Sequence, residues 1–279
     1  MKYSDKLLHS IKNTGSLLCV GLDPNPEQIP TQLQNSCSGT IELVEKFCLH
    51  VIDATSESCC AYKPNLAFFE ALGGDGLSLF ERILHAIPDG KIVIADAKRG
   101  DIGSTAIQYK KAYFDLFDVD AITLNPLMGF DTLDPFMSYP GKAVYTLVLT
   151  SNPGSNDLLK RRFEGRGSLA EFIADQLNRK SATVDTHLGM VTGATDPSSL
   201  QNVLSVYPEA SLLIPGIGSQ GGTIRDLLPA LKGHKGIPII TSSRSILYGE
   251  VDDRNWKSAI ADRAKQMKRE LEIVTTSYV

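Results

Sequence analysis

The sequence predicts a (β/α)8 barrel that takes residues 1–279 as a single domain, with a short N-terminal helix and a closing C-terminal helix. Three observations carry the prediction. Eight short apolar runs alternate with stretches of helical periodicity, the pattern of repeated βα units around a parallel sheet. The 279 residues exceed the usual single-domain length but suit an α/β barrel, which typically takes ~250. No composition break, low-complexity tract or linker interrupts the alternation. A doubly wound open sheet is the alternative, yet no Gly-x-Gly-x-x-Gly follows the first strand, where a dinucleotide fold would place it.

Leu7, Leu8 and Ile11 recur at helical spacing and predict the opening helix over 3–13. Lys2, Lys6 and Lys12 precede Leu17-Leu18-Cys19-Val20, but Asp5, His9 and Asn13 interrupt any hydrophobic segment, so a strand is expected there and not a signal peptide. Strand one is Ser16–Leu22, ending at Asp23-Pro24. Leu43, Val44, Phe47, Val51 and Ile52 give a helix over Ile41–Ala54 with an acidic first turn. Strand two, Cys59–Tyr62, ends at Lys63-Pro64, and helix follows through Phe68, Phe69 and Leu72, past Gly73-Gly74, to His85. Strand three is the β-branched run Lys91–Ile94, and Thr105–Phe117 is helical.

Strand four is Ala121–Leu124, ending at Asn125-Pro126, with a helix around Leu133–Met137. Strand five, Ala143–Leu149, ends at Thr150-Ser151 and opens into a loop over 152–166 before an amphipathic helix, Leu169–Leu177. Strand six is His187–Thr192 and a helix spans Ser198–Tyr207. Strand seven, Ser211–Ile214, runs into Pro215-Gly216-Ile217-Gly218-Ser219-Gln220-Gly221-Gly222 and then the helix Thr223–Leu231. Strand eight, Ile237–Thr241, ends at Ser242-Ser243-Arg244, and the charged helix Asp253–Ile273 closes the chain.

Composition narrows the function. With 42% apolar and 22% charged residues the chain is ordinary for a globular protein. A formal charge of −4 argues against a broad basic surface for nucleic acid. No apolar run approaches the ~18 residues of a membrane span. The five cysteines are odd in number and include no Cys-x-x-Cys, so reduced thiols in a cytoplasmic enzyme are expected. Cys48, His50, Cys59 and Cys60 make a poor zinc set, because the first pair belongs to a helix and the second to a strand.

In a barrel the C-terminal ends of all strands share one mouth, where catalytic groups sit. Here those ends carry Asp23, Lys63, Asp96, Lys98, Asn125, Ser151, Pro215, Gly216 and Arg244. The densest is Asp96-Ala97-Lys98-Arg99-Gly100-Asp101, a carboxylate, an ammonium and a second carboxylate spaced two and three apart. Single charges are costly to bury, so such a set neutralises itself or meets a substrate. On an extended chain Asp96 and Lys98 share a side, while Asp101 lies past Gly100 on the turn into a helix. The glycine-rich loop after strand seven can bring backbone N–H groups to an anion, and Arg244 on the next strand can grip a phosphate bidentately. The loop after strand five, with Ser151, Lys160, Arg161 and Arg162, is placed to close over a ligand.

These residues resemble the orotidine 5′-phosphate decarboxylase family over most of the chain. The likeness rests on Leu22-Asp23-Pro24, Tyr62-Lys63-Pro64-Asn65, the run from Asp96 to Thr105, Thr123-Leu124-Asn125-Pro126, Thr150-Ser151-Asn152-Pro153-Gly154, the loop 215–222 and Ser242-Ser243-Arg244-Ser245-Ile246. Asp-Ala-Lys-Arg-Gly-Asp-Ile-Gly-Ser-Thr together with Ser-Asn-Pro-Gly looks like the longer bacterial branch. The resemblance implies decarboxylation of orotidine 5′-phosphate to UMP in pyrimidine biosynthesis, with no cofactor and no metal. It implies that Lys63, Asp96 and Lys98, with Asp101 from the partner in a homodimer, surround the substrate's C6 carboxylate. It further implies that Asp23 and Lys63 contact the ribose, Ser151 the pyrimidine, and Gln220 and Arg244 the phosphate, with Pro215 and Gly216 beside them. The role of Asn125 stays open. Two rival readings keep the barrel: a metal-dependent sugar-phosphate lyase, opposed by Lys63 where such relatives carry an acidic ligand, and a non-catalytic nucleotide binder, which has no use for Lys98.

Overall fold

β-branched and aromatic runs bounded by turn residues favour strands, and all eight are present in the computed structural model, which describes residues 1–163, 167–194, 196–216, 223–249 and 255–278. They are β1 (Leu18–Leu22), β2 (Ala61–Pro64), β3 (Ile92–Arg99), β4 (Ala121–Leu124), β5 (Ala143–Leu149), β6 (His187–Thr192), β7 (Ser211–Ile214) and β8 (Pro238–Ser242). The sheet is closed in sequence order, a (β/α)8 barrel. Pairing is parallel: Cys19 to Leu22 of β1 face Ala61 to Pro64 of β2, and Ala121 to Leu124 of β4 face Ala143 to Thr146 of β5. β1, β2, β4, β7 and β8 are buried at every residue, as strands covered on both faces must be.

The helices are α1 (Tyr3–Thr14), α2 (Thr31–Gln34), α3 (Thr40–Thr55), α4 (Leu66–Glu70), α5 (Gly74–Ala86), α6 (Gly103–Lys110), α7 (Leu169–Ser181), α8 (Pro197–Val206), α9 (Ile224–Leu231), α10 (Arg244–Leu247) and α11 (Trp256–Thr275). Several bounds differ from expectation, each for a local reason. β3 continues through the charged residues to Arg99 instead of stopping at Ile94. Pro135 cannot donate to a helical ladder, and Phe130–Phe136 forms a 3-10 turn in place of an α-helix. Gly73, at φ 75°, breaks the helix after strand two into α4 and α5. α6 runs into a π-helical turn, Lys111–Leu116. Asp253, the expected start of the last helix, lies outside the described residues.

Packing gathers the chain into two compact units. One comprises Met1–Asp5 and Lys98–Thr241. Its fully buried Tyr3 shares a hydroxyl hydrogen bond of 3.0 Å with Tyr145, and its ring lies 5.3 Å from that of His187. His187 in turn meets the Ser211 hydroxyl at 2.8 Å through Nε2. Ser168 caps α7, and Thr223 with Asp226 forms a reciprocal capping box on α9. The other unit comprises Lys6–Ala97 and Ser242–Val279. Here Phe47 of α3 stacks on Tyr248 at 5.7 Å and lies 5.8 Å from Trp256 of α11. Arg82 grips Glu45 bidentately at 2.7 and 2.9 Å, tying α5 to α3.

No helix among the described residues is long and apolar enough to cross a membrane. None of the five cysteines forms a disulfide among the described residues. Burial raises the thiols of Cys48, Cys59 and Cys60, holding them protonated, opposite to what a metal ligand needs.

Candidate active site

At the end of β2, Lys63 is 5% exposed although it carries an ammonium. A charge so placed needs a partner, and Asp96 of β3 supplies one, with Nζ and Oδ2 2.5 Å apart. Burial opposes the charge on Lys63 most strongly, yet the Asp96 and Asp23 carboxylates together outweigh it and hold the lysine above its ordinary pKa. The group is therefore a fixed cation at neutral pH. Asn65, two residues on, forms a parallel bridge with Asp96 and caps α4 through the Ala67 N–H. Asp23 follows β1, and its buried Oδ1 has no hydrogen-bond partner among the described residues. A buried carboxylate oxygen left open is costly unless a ligand's donor meets it. Lys63, Asp96 and Asp23 are thus brought together within one compact unit.

Lys98 and Asp101 belong to the other unit. Lys98 lies within β3 but its φ is 47°, a left-handed conformation that is uncommon for a residue with a Cβ. The two-residue alternation assumes extended backbone, which Lys98 does not adopt. The Lys98 N–H donates to Thr123 Oγ1 at 2.9 Å. Asp101 is half-buried, and its Oδ1 accepts the Ile102 N–H at 2.8 Å just before α6. Ser151, past the end of β5, is half-buried against β6: a Cβ on Gly193 would stand 2.8 Å from the Ser151 backbone nitrogen. Lys160, further along the same loop, pairs with Asp196 at 2.8 Å. That bond, with hydrogen bonds from Ser199 and Ser198, holds Asp196 well below the usual carboxylate range at the cap of α8. Pro215 and Gly216 follow β7, both half-buried, with Gly216 at φ 94°.

Arg244, expected at the end of strand eight, instead opens the short helix α10 and is exposed. Gln220, with the rest of 217–222, lies outside the described residues. Asn125 donates its N–H to the Arg99 carbonyl and accepts from the Leu127 N–H, a turn-forming role. Three residues escaped the reading of the sequence. Tyr248 accepts the Asn25 N–H at 2.7 Å and donates to the Asp23 carbonyl at 2.9 Å, pinning the loop that bears Asp23. Gly193 admits Ser151, and Thr123 meets Lys98. Tyr248 and Asn25 are 223 residues apart, and no local pattern announces such a contact. Among the described residues no group of three or more His, Cys, Asp or Glu side chains could hold a metal ion.

Comparison with known proteins identifies the family. Residues 16–259 match the family described as orotidine 5′-phosphate decarboxylase / HUMPS. The orotidine 5′-phosphate decarboxylase of Roseiflexus sp. strain RS-1 is 39% identical over 273 residues, covering 96% of each chain. Among solved structures, the OMP decarboxylase of Leishmania donovani has a TM-score of 0.77 at 35% identity, covering 96% of this chain and 99% of that one. The UMP synthase of the same organism has a TM-score of 0.79 at 37% identity, and this chain spans 57% of its length.

Proposed function

The chain belongs to the orotidine 5′-phosphate decarboxylase / HUMPS family, and from that premise we propose that it converts orotidine 5′-phosphate to UMP and CO2 in pyrimidine biosynthesis without a cofactor. The observation that carries the reading is the buried Lys63–Asp96 pair at the ends of β2 and β3, with Asp23 beside it. It supports a site built on electrostatics. Breaking the C6–CO2 bond leaves an electron pair on a ring carbon that no carbonyl is placed to delocalise. Fixed charges must do the work. In this reading Asp96 disfavours the substrate's carboxylate, which departure of neutral CO2 relieves. Lys63 keeps Asp96 ionised and in place. Lys98 favours the carbanion and then transfers a proton from Nζ to C6.

Asp23 and Lys63 take the ribose hydroxyls, Ser151 the pyrimidine, and Pro215, Gly216, Gln220 and Arg244 the phosphate end. The open Oδ1 of Asp23 supports the first of these. Asp101 joins the charge network across a homodimer interface. Ile102, Leu127 and Met128, which follow β3 and β4 and are 55%, 54% and 57% exposed, support an apolar surface for a second copy. Reduced thiols fit a cytoplasmic setting.

A metal-dependent sugar-phosphate lyase on the same barrel is the alternative enzyme reading. The cationic Lys63 disfavours it, because an ammonium repels a divalent ion. One assay tests both readings: purified protein is mixed with orotidine 5′-phosphate and EDTA while the ring's ultraviolet absorbance is followed. Loss of the orotate chromophore with undiminished rate in EDTA is expected. No absorbance change sinks the decarboxylase reading, and activity lost on chelation and restored by Mg2+ sinks its metal-free form.

A further inference from the structure

Lys98 and Asp118 are the non-glycine residues with positive φ among those described. Such a conformation is disfavoured for any residue with a Cβ and persists where neighbours over-determine it. The neighbours of Lys98 lie on β4 and just beyond. In a regular parallel ladder an N–H meets a backbone carbonyl, but the Lys98 N–H meets a side chain, Thr123 Oγ1, at 2.9 Å. Thr123 is 2% exposed, so this oxygen is held in a dry, packed setting. Beyond it the Asn125 N–H donates to the Arg99 carbonyl at 2.8 Å. Gly100 then lies so close that a Cβ would stand 2.4 Å from the Asn125 carbonyl oxygen. β4 and its following residue therefore grip three consecutive residues, Lys98 to Gly100. Of the three contacts only one is made by a replaceable side chain.

We infer that Thr123 is a positioning residue for the reaction: its hydroxyl oxygen fixes the left-handed backbone of Lys98 and so the origin from which the Lys98 ammonium reaches C6. The inference rests on the proposed role of Lys98 as the proton donor. Without the hydroxyl, the Lys98 N–H loses its acceptor and the backbone relaxes toward ordinary extended values, carrying the side chain's root with it. A small misplacement of an acid is felt in the chemical step and not in binding, since the phosphate and ribose are held elsewhere.

Valine keeps the shape of threonine and removes the acceptor, alanine removes both, and serine keeps the acceptor. Steady-state kinetics with orotidine 5′-phosphate are measured for Thr123→Val, Thr123→Ala and Thr123→Ser, with circular dichroism and UMP binding to show that each is folded. Lys98→Ala is run beside them. The expected result is that kcat falls roughly ten- to a hundredfold in the valine and alanine variants, the scale of an unmet buried N–H, with KM within about twofold, and that serine restores it. Either hydroxyl-free variant, if folded, suffices should the other aggregate. Wild-type kcat without the hydroxyl overturns the inference, as does a serine variant as slow as the valine one, which assigns the effect to packing of the methyl group. If Lys98→Ala itself turns over freely, the proton-donor reading fails and this inference with it. If Lys98→Ala is inert and Thr123→Val is not slowed, the inference alone fails.

Discussion

A lysine held at φ 47° gives up about 1–2 kcal/mol relative to an ordinary strand conformation, and no gain in core packing offsets it, since Lys98 is exposed. Strain of this kind at the end of a barrel strand is what a pre-organised acid would show. The Lys63–Asp96 pair has the opposite character: buried and short. Replacing one partner alone would strand the other charge. Two single substitutions separate the proposed roles of chemistry and binding. Lys98→Ala should retain UMP binding while kcat falls at least about a thousandfold, the upper scale of general acid catalysis combined with lost charge stabilisation. Arg244→Ala should keep the chemical step and raise KM roughly ten- to a hundredfold, the scale of one or two charge-assisted hydrogen bonds. Initial rates over a substrate series resolve both, and an unchanged KM removes Arg244 from the phosphate site. From the residues alone Asp96 groups with Lys98 and Asp101, and only the family resemblance puts Lys63 in the same charge network; its direct pairing with Asp96 is read from the structure. The positive φ of Lys98 was not legible in sequence, because only contact with Thr123 and the fit of Gly100 against Asn125 reveal what holds it.

Strand positions came through the sequence clearly because eight apolar runs are too regular to be accidental. Their ends came through less well. β3 looked complete at Ile94 since charged residues ordinarily mark a loop, yet the strand carries them to Arg99. Asp96 stays in because Lys63 on β2 and Asn65 just beyond it receive it. Register between elements also decides where the β5 loop starts. Gly193 donates its N–H to the Leu149 carbonyl at 2.7 Å and leaves no room for a side chain beside Ser151. Gly193→Ala should push the Ser151 backbone outward, because a Cβ would sit 2.8 to 3.0 Å from its nitrogen and carbons. KM should rise several-fold, with a stability loss of about 1–3 kcal/mol from overpacking. Kinetics and thermal melting together check this, and wild-type values for both would remove Gly193 from the support of that loop.

Over the molecule as a whole, α/β alternation specified the barrel, while non-local polar contacts decided what it must be protected from. His187 begins β6 between Tyr3 and Ser211, and burial pushes its pKa down to about 4 from the ordinary 6.5. The folded chain binds this proton less readily than the unfolded chain, so the stabilisation is complete above the unfolded value of 6.5. It is lost as pH falls from 6.5 toward 4, by at most about 3 kcal/mol, and changes little below that. His187→Gln, which keeps a hydrogen-bonding partner for Ser211 without a titrating ring, should flatten the difference in urea midpoint between pH 7 and pH 5. An equal slope in both proteins would refute it. Neither this histidine nor Tyr3 stood out in the sequence, since a lone histidine at a strand's start has no periodic signature.

The distribution of sulfur has a practical corollary. Cys19, Cys48, Cys59 and Cys60 are sealed in the interior, whereas Cys37 is half-buried in the short stretch before α3. The native chain thus offers maleimide dyes or spin labels one accessible handle, already in place, and engineering a cysteine-free background is unnecessary for spectroscopy on the folded protein.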